Sequence, residues 1–201
     1  MRIALFGGSF DPPHRGHVAI ARAAADAFAL DYVLFAPAGR QPLKSGAHAS
    51  YADRLEMTLL ACTEDPRFQT FGFDKPRSDG QPNYTVDALD YLSRDETPAQ
   101  LFNIAGADSF ATLAQWRDPE RLLELAEWIV VSRPGHALAD PAGLTLTPQQ
   151  RTRIHLLDSV HENVAATELR DRLREGDPCT DLLPAPVSHY IHHHHLYLAS
   201  T

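Results

Sequence analysis

Cysteine is scarce in this chain: only Cys62 and Cys179 occur, far apart and without CxxC spacing. That excludes a disulfide scaffold and reads as two ordinary thiols in a reducing cytosol. Long hydrophobic runs are missing too. Nothing approaches the roughly 18 apolar residues of a membrane-spanning helix, and the mean hydropathy is −0.28. The opening Met1–Phe6 run is too short for a signal-peptide core and leads directly into Gly7-Gly8-Ser9, so no cleaved leader is expected. Positive charge is in deficit, with 18 Lys+Arg against 26 Asp+Glu and a formal net charge of −8. This disfavours a protein that grips duplex nucleic acid or an anionic membrane surface. A small anionic ligand stays open, because a few placed donors hold a phosphate whatever the global charge. Two familiar nucleotide fingerprints, GxxxxGK[ST] and GxGxxG, are absent.

What is present is an ordinary globular composition, 44% hydrophobic and 22% charged over 201 residues. One domain, residues 1–201, is expected. Short apolar runs alternate with amphipathic stretches. Ile3–Phe6, Tyr32–Phe35, Phe68–Phe73, Leu101–Ala105, Trp128–Val131 and Ile154–Leu157 read as strands, several of them continuous in the manner of strands buried on both faces. His14–Phe28, Tyr51–Cys62, Tyr84–Leu92, Pro119–Glu127, Thr167–Arg174 and Pro186–His195 read as helices, the first with Val18, Ala21, Ala25 and Phe28 on one face. Pro134–Pro148 reads as a surface loop. The β-α alternation predicts an α/β fold with a doubly wound parallel sheet and right-handed crossovers, whose ligands bind beyond the carboxyl ends of the strands.

The strongest chemical signal is the first strand-to-helix passage, Phe6-Gly7-Gly8-Ser9-Phe10-Asp11-Pro12-Pro13-His14-Arg15-Gly16-His17. Gly7 and Gly8 let backbone N–H groups approach an anion, and the helix that follows aims its positive dipole end at the same place. His14 and His17 are expected on one face of the helix start, with Gly16 keeping the space between them open, as two side-by-side donors for phosphate oxygens. The run His192–His195 is expected to hold no native metal, since four consecutive helical histidines point in different directions.

The passage resembles the HxGH motif, with its preceding G-G-[ST]-F-D-P, of the nucleotidyltransferase superfamily. Val164-Ala165-Ala166-Thr167-Glu168-Leu169-Arg170 resembles that superfamily's second signature, I-S-[SA]-T-x-[IL]-R, with Ala165 where serine is usual. The remaining landmarks are similar to the bacterial nicotinate-nucleotide adenylyltransferases over nearly the whole chain: Asn83-Tyr84-Thr85, Ala105–Ser109, Trp116, Ser132–Gly135, and the closing stretch from Asp181 to Tyr197. Lys44 matches the lysine of a P-P-H-K loop, with Leu43 in place of the histidine.

The resemblance implies a Rossmann-like nucleotidyltransferase fold and adenylyl transfer from ATP to nicotinate mononucleotide, with Mg²⁺ accompanying the ATP. It implies His14, His17, Lys44 and Arg170 as catalytic residues. ATP would be held by Gly7, Gly8, Ser9, Phe10, Gly106, Asp108, Thr167 and Arg170, and the mononucleotide by Lys44, Tyr84, Thr85, Trp116 and Arg133. Trp116 offers a flat face for a pyridine ring, and the amides near Tyr84-Thr85 a site for its carboxylate. Asp108 reads both as a helix N-cap and as an acceptor for ribose hydroxyls. Nicotinamide mononucleotide and phosphopantetheine remain alternative acceptors, and a nucleotide-binding module without turnover remains an alternative to an enzyme. No nucleic-acid or membrane partner is expected, and self-association into a homo-oligomer stays open.

Overall fold

The computed structural model describes residues 1–40, 48–94, 99–132, 139–160 and 164–198. Six parallel strands form one sheet: β1 (Arg2–Gly8), β2 (Tyr32–Pro37), β3 (Phe68–Thr70), β4 (Gln100–Gly106), β5 (Glu127–Val131) and β6 (Ile154–Leu157), in the order β3-β2-β1-β4-β5-β6. The helices are α1 (Arg15–Ala27), α2 (Tyr51–Cys62), α3 (Thr85–Ser93), α4 (Ala107–Ala111), α5 (Pro119–Leu125), α6 (Pro148–Arg151), α7 (Ala166–Arg174) and α8 (Ala185–His193). All six expected strands are present, and the doubly wound arrangement follows from them.

The strand residues alternate between two cores, as the two-residue period requires. Ala4 and Phe6 of β1 face a core closed by α1, α2, α7 and α8, through Val18, Ala21, Met57, Ala61, Leu169, Leu173, Val187 and Ile191. Leu5 faces the opposite core, closed by α3, α4 and α5 through Val86, Leu89, Phe110, Leu122 and Leu123. Because both faces are covered, the inner strands read as largely unbroken apolar runs, whereas edge strand β6 carries His155 and an exposed Leu156. The chain winds outward from β1 to β3, then crosses to β4 and winds the other way. The switch point therefore lies between the ends of β1 and β4, where a ligand crevice is expected.

Most element ends move by one or two residues from the sequence reading, α8 for one ending at His193, and two of the shortenings have a visible tertiary cause. The run Phe68–Phe73 is a strand only to Thr70: the Phe71 N–H still donates to the Phe35 carbonyl at 2.7 Å, after which Gly72–Asp74 turns as a 3-10 helix. The pull comes from Gly39, whose N–H donates to the Asp74 carbonyl at 2.7 Å, and a Cβ at Gly39 would meet that oxygen at 2.5 Å. The helix expected over Pro119–Glu127 ends at Leu125, because Glu127 pairs with Phe102 as the first residue of β5. Its carboxylate is held there by Gln100 Nε2 at 2.6 Å and His155 Nε2 at 2.7 Å.

Candidate functional site

β1 ends in Gly7 and Gly8, and β4 ends in Gly106, on either side of the switch point. A Cβ on Gly7 or Gly106 would meet no atom within 4 Å, so both strand ends present bare backbone to open space. Gly8 is confined instead by the Phe10 ring, 3.1 Å from where its Cβ would stand. The resemblance implies Phe10 as an ATP contact, but the residue is 1% exposed. The left-handed backbone at Phe10 (φ 46°) turns the ring down onto Phe6 and Phe35, at centroid distances of 5.6 and 5.5 Å. The Phe10 ring is therefore closed off from a nucleotide.

His14 caps α1 and His17 stands one turn on. The expected open space between them is absent: the two rings stack at 3.7 Å and 28°, with Gly16 buried in the helix below. The His14 backbone N–H donates to His17 Nδ1 at 3.2 Å. In the neutral ring this places the remaining proton of His17 on Nε2. His14 is 6% exposed, and its Nδ1 has no hydrogen-bond partner among the described residues. Burial pushes its imidazole down to about 4, so it is neutral at ordinary pH. The pair is thus unequal, with a half-buried donor stacked on a buried neutral ring.

Asp11 ties the loop down. Its carboxylate accepts from the backbone N–H groups of His48 (2.6 Å) and Ala49 (3.1 Å) and from the Tyr197 hydroxyl (2.7 Å). Its carbonyl accepts from Arg170 at 2.9 Å. A second nitrogen of Arg170 donates to Thr167 Oγ1 at 3.1 Å. Ser9 enters the same framework through its carbonyl, which accepts from buried Arg54 at 2.7 Å. Sequence reasoning missed Asp11, Arg54 and Tyr197. Arg54 left one legible signal, a charged residue on the apolar face of α2 beside Met57, Thr58 and Ala61. At the start of α7 the N-cap is Ala165, which has no side chain to bond the first-turn amides, and Thr167 is the second helical residue.

On the other face of the sheet, Tyr84 caps α3 and Thr85 opens it, as expected. The Arg117 guanidinium lies 4.8 Å from the centre of the Tyr84 ring. Trp116 is half-buried, with its ring edge-on to Trp128 at 5.8 Å and its Nε1–H donating to Thr112 Oγ1 at 3.4 Å. Asp108 is not an N-cap: Gly106 holds that position, and Asp108 is the exposed second residue of α4. The helix starts at Ala107 because β4 runs on to Gly106. An open cavity of about 680 Å³ lies beside α3, lined by Phe73, Asp74, Arg77, Asn83, Tyr84 and Asp87 among others. Among the described residues it meets the candidate site at Tyr84. Asp74 at its wall is 8% exposed with Oδ1 unpartnered. Burial first, then the nearby Asp87, pushes its carboxyl up to about 6.

Lys44 and Arg133 lie outside the described residues. His192–His195 are exposed, and among the described residues no three His, Cys, Asp or Glu side chains group as a metal site. Nor is any described helix long and apolar enough to cross a membrane. Cys62 and Cys179 are buried free thiols.

A glycine-lined strand-to-helix turn at the switch point of a 3-2-1-4-5-6 parallel sheet defines the class, an α/β nucleotide-binding protein of the Rossmann-like kind. The cytidylyltransferase-like family matches residues 5–172. A protein of Leifsonia xyli named probable nicotinate-nucleotide adenylyltransferase is 41% identical over 98% of this chain and 94% of its own length. One of Thermus thermophilus with the same name is also 41% identical, over 98% of this chain and 100% of its own length. The chain belongs to the cytidylyltransferase-like family and, within it, to the nicotinate-nucleotide adenylyltransferases. The fold is shared with the Plasmodium falciparum nicotinic acid mononucleotide adenylyltransferase complexed with NaAD, with a TM-score of 0.72 at 15% identity over 98% of this chain and 97% of that one.

Proposed function

We propose that the chain transfers the adenylyl group of ATP to nicotinate mononucleotide, giving nicotinate adenine dinucleotide and pyrophosphate in NAD biosynthesis. The observation that carries this reading is the bare glycine turn at the switch point with the His17 Nε2 proton beside it, in a chain similar end to end to proteins of that name.

The mononucleotide phosphate is already an anion at neutral pH, its second pKa being about 6, so no protein base is needed. One of its oxygens attacks the α-phosphorus of ATP in line. The new P–O bond forms as the bond from that phosphorus to the bridging oxygen breaks, and the electron pair leaves with pyrophosphate. The protein's task is positioning and charge stabilisation. His17 donates from Nε2 to the oxygens of the α-phosphate, and neutral His14 stacks behind it to hold the ring. Amides of Gly7, Gly8 and Ser9 line the phosphate path, and the open amides at the start of α7, with Thr167 and Arg170, receive the departing end. Arg170 also braces the loop through the Asp11 carbonyl. Gly106 and Asp108 face the ATP ribose. Tyr84, Thr85 and Trp116 take the pyridine carboxylate and ring, with Lys44 and Arg133 assigned by resemblance.

The buried carboxylate at the turn, Asp11, is engaged by two backbone amides and a phenol, so it does not fit a metal-ligand role. Magnesium accordingly enters as part of the MgATP substrate, held by phosphate oxygens and water.

The deciding experiment incubates the protein with ATP, Mg²⁺ and, separately, nicotinate mononucleotide, nicotinamide mononucleotide and phosphopantetheine, with products identified by mass and pyrophosphate measured. The expected product is the nicotinate dinucleotide. A preference for either other acceptor overturns the assignment of substrate, and no pyrophosphate with any acceptor overturns the enzyme.

A further inference from the structure

The end of the chain returns to the first loop. Beyond α8, His195 (φ 52°) and Tyr197 (φ 63°) adopt left-handed backbone, and the Tyr197 hydroxyl donates to Asp11 Oδ1 at 2.7 Å. Asp11 is 4% exposed and stands between the glycine turn and His14, the N-cap of α1. Four other contacts fix it and the backbone beside it: the amides of His48 and Ala49 on its carboxylate, Arg170 on its own carbonyl, and Arg54 on the Ser9 carbonyl. Among the described residues, Tyr197 is the one side chain that grips the Asp11 carboxylate. Burial first, and then the Asp11 charge, hold the phenol far above its ordinary range, against the opposing pull of Arg170 and Arg54. The hydroxyl therefore keeps its proton and stays a donor at ordinary pH.

We infer that Tyr197 is a positioning residue for the His14–His17 pair, acting through Asp11. The Asp11 carboxylate is the pivot on which the segment from Ser9 to His14 is oriented, and that segment delivers the backbone N–H that holds His17 Nδ1. Releasing one of the three donors on the pivot lets the segment rotate, and the His17 Nε2–H loses its aim. The Tyr197 ring also packs against the α1-side core. Removing the oxygen alone therefore separates aim from packing. This inference rests on the proposed adenylyl transfer for its kinetic arm and not for its structural arm.

The test is Tyr197→Phe in the full chain, beside Asp11→Asn and the double variant. Misplacing a reacting group by a fraction of an ångström to an ångström lowers rate by up to about 10²-fold, so kcat is expected to fall by about 10- to 10²-fold. The KM values for ATP and mononucleotide are expected to stay within about twofold, and the double variant to lose no more than the worse single one. Wild-type kcat in Tyr197→Phe, a raised KM with unchanged kcat, or losses that multiply in the double variant would each overturn the inference. Amide hydrogen exchange over Ser9–His17 supplies the second arm: faster exchange in Tyr197→Phe supports the clamp, and unchanged protection overturns it even if the wild type makes no dinucleotide. Should Tyr197→Phe fail to fold, exchange in Asp11→Asn is read by the same two outcomes.

Discussion

The backbone N–H of His14 and the Nδ1 of His17 stand 3.2 Å apart, so that the cap of α1 and the tautomer of the residue one turn later are settled by one hydrogen bond. The half-buried imidazole is left with its proton on Nε2, while the ring stacked on it at 3.7 Å is buried and neutral.

Replacing His17 with alanine removes both the aimed donor and the acceptor for the His14 N–H. Turnover is expected to fall by roughly 10²–10³-fold, the scale for one preorganised donor. Unfolding free energy should fall by only about 1 kcal/mol, the net worth of the lost hydrogen bond. Steady-state rates beside thermal melts check both figures. Near-normal turnover would remove His17 from the catalytic residues.

His14 makes acid stability depend on pH in a stated direction. Its folded-state value of about 4 lies below the 6.5 of a free imidazole. The stability it contributes is therefore present above pH 6.5 and is lost as pH falls through the folded value. His14→Asn should show a shallower loss between neutral pH and pH 4, by roughly 3 kcal/mol at most. Urea melts across that range measure it. An acid limb near 6.5 in the rate profile, if one is found, belongs to a group other than His14.

Asp74 runs the opposite way. Its carboxyl is raised from 3.8 to about 6 by burial and by Asp87, so ionising it works against the fold. The stability it contributes is present below pH 3.8 and disappears as pH rises through about 6. Asp74→Asn should then stabilise the chain at pH 8 by roughly 3 kcal/mol at most and change little at pH 4. Equal effects at the two pH values would contradict the assignment.

The two turn glycines should fail in different ways. A Cβ on Gly7 meets nothing, so Gly7→Val should keep its melting temperature while raising the KM for ATP by at least about tenfold, equivalent to about 1.4 kcal/mol. A Cβ on Gly8 stands 3.1 Å from the buried Phe10 ring, so Gly8→Ala should melt lower. Melting curves and ATP titrations on both variants separate the roles.

Trp116 packs edge-on against Trp128, beside the platform role proposed for it. Trp116→Ala should lower stability and raise the KM for nicotinate mononucleotide by an amount reflecting about 1 kcal/mol of lost stacking. Trp116→Phe should recover most of the KM. An unchanged KM in the alanine variant would leave Trp116 as packing alone.

Much of the architecture was legible because it is written locally. A strand buried on both faces is apolar nearly throughout, and β1, β2 and β5 announce themselves that way, as does β4 but for Asn103; edge strand β6, with His155 inside it and Leu156 exposed, is the weaker signal. Helix α2 falls at Tyr51–Cys62, as its apolar spacing predicts, behind a Ser50 hydroxyl that accepts from the Asp53 N–H at 3.1 Å. The glycine turn and the two histidines were legible for the same reason: each is a short contiguous pattern whose chemistry needs neighbours in sequence. The stop of β3 at Thr70 and of α5 at Leu125 were not, because the competing partners, Gly39 and Phe102, lie far away along the chain.

From its sequence alone this chain determines a parallel α/β sheet, a glycine-lined strand-to-helix turn and the identities of the groups beside it, since periodicity and local backbone freedom suffice for those. Tertiary structure alone decided that the histidines are stacked and unequal, that Phe10 points inward, and that Asp11 gathers Arg170 and Tyr197 across 159 and 186 residues of chain. Burial, tautomer and aim are properties of what surrounds a side chain, and those surroundings come from segments that only the closed fold brings together.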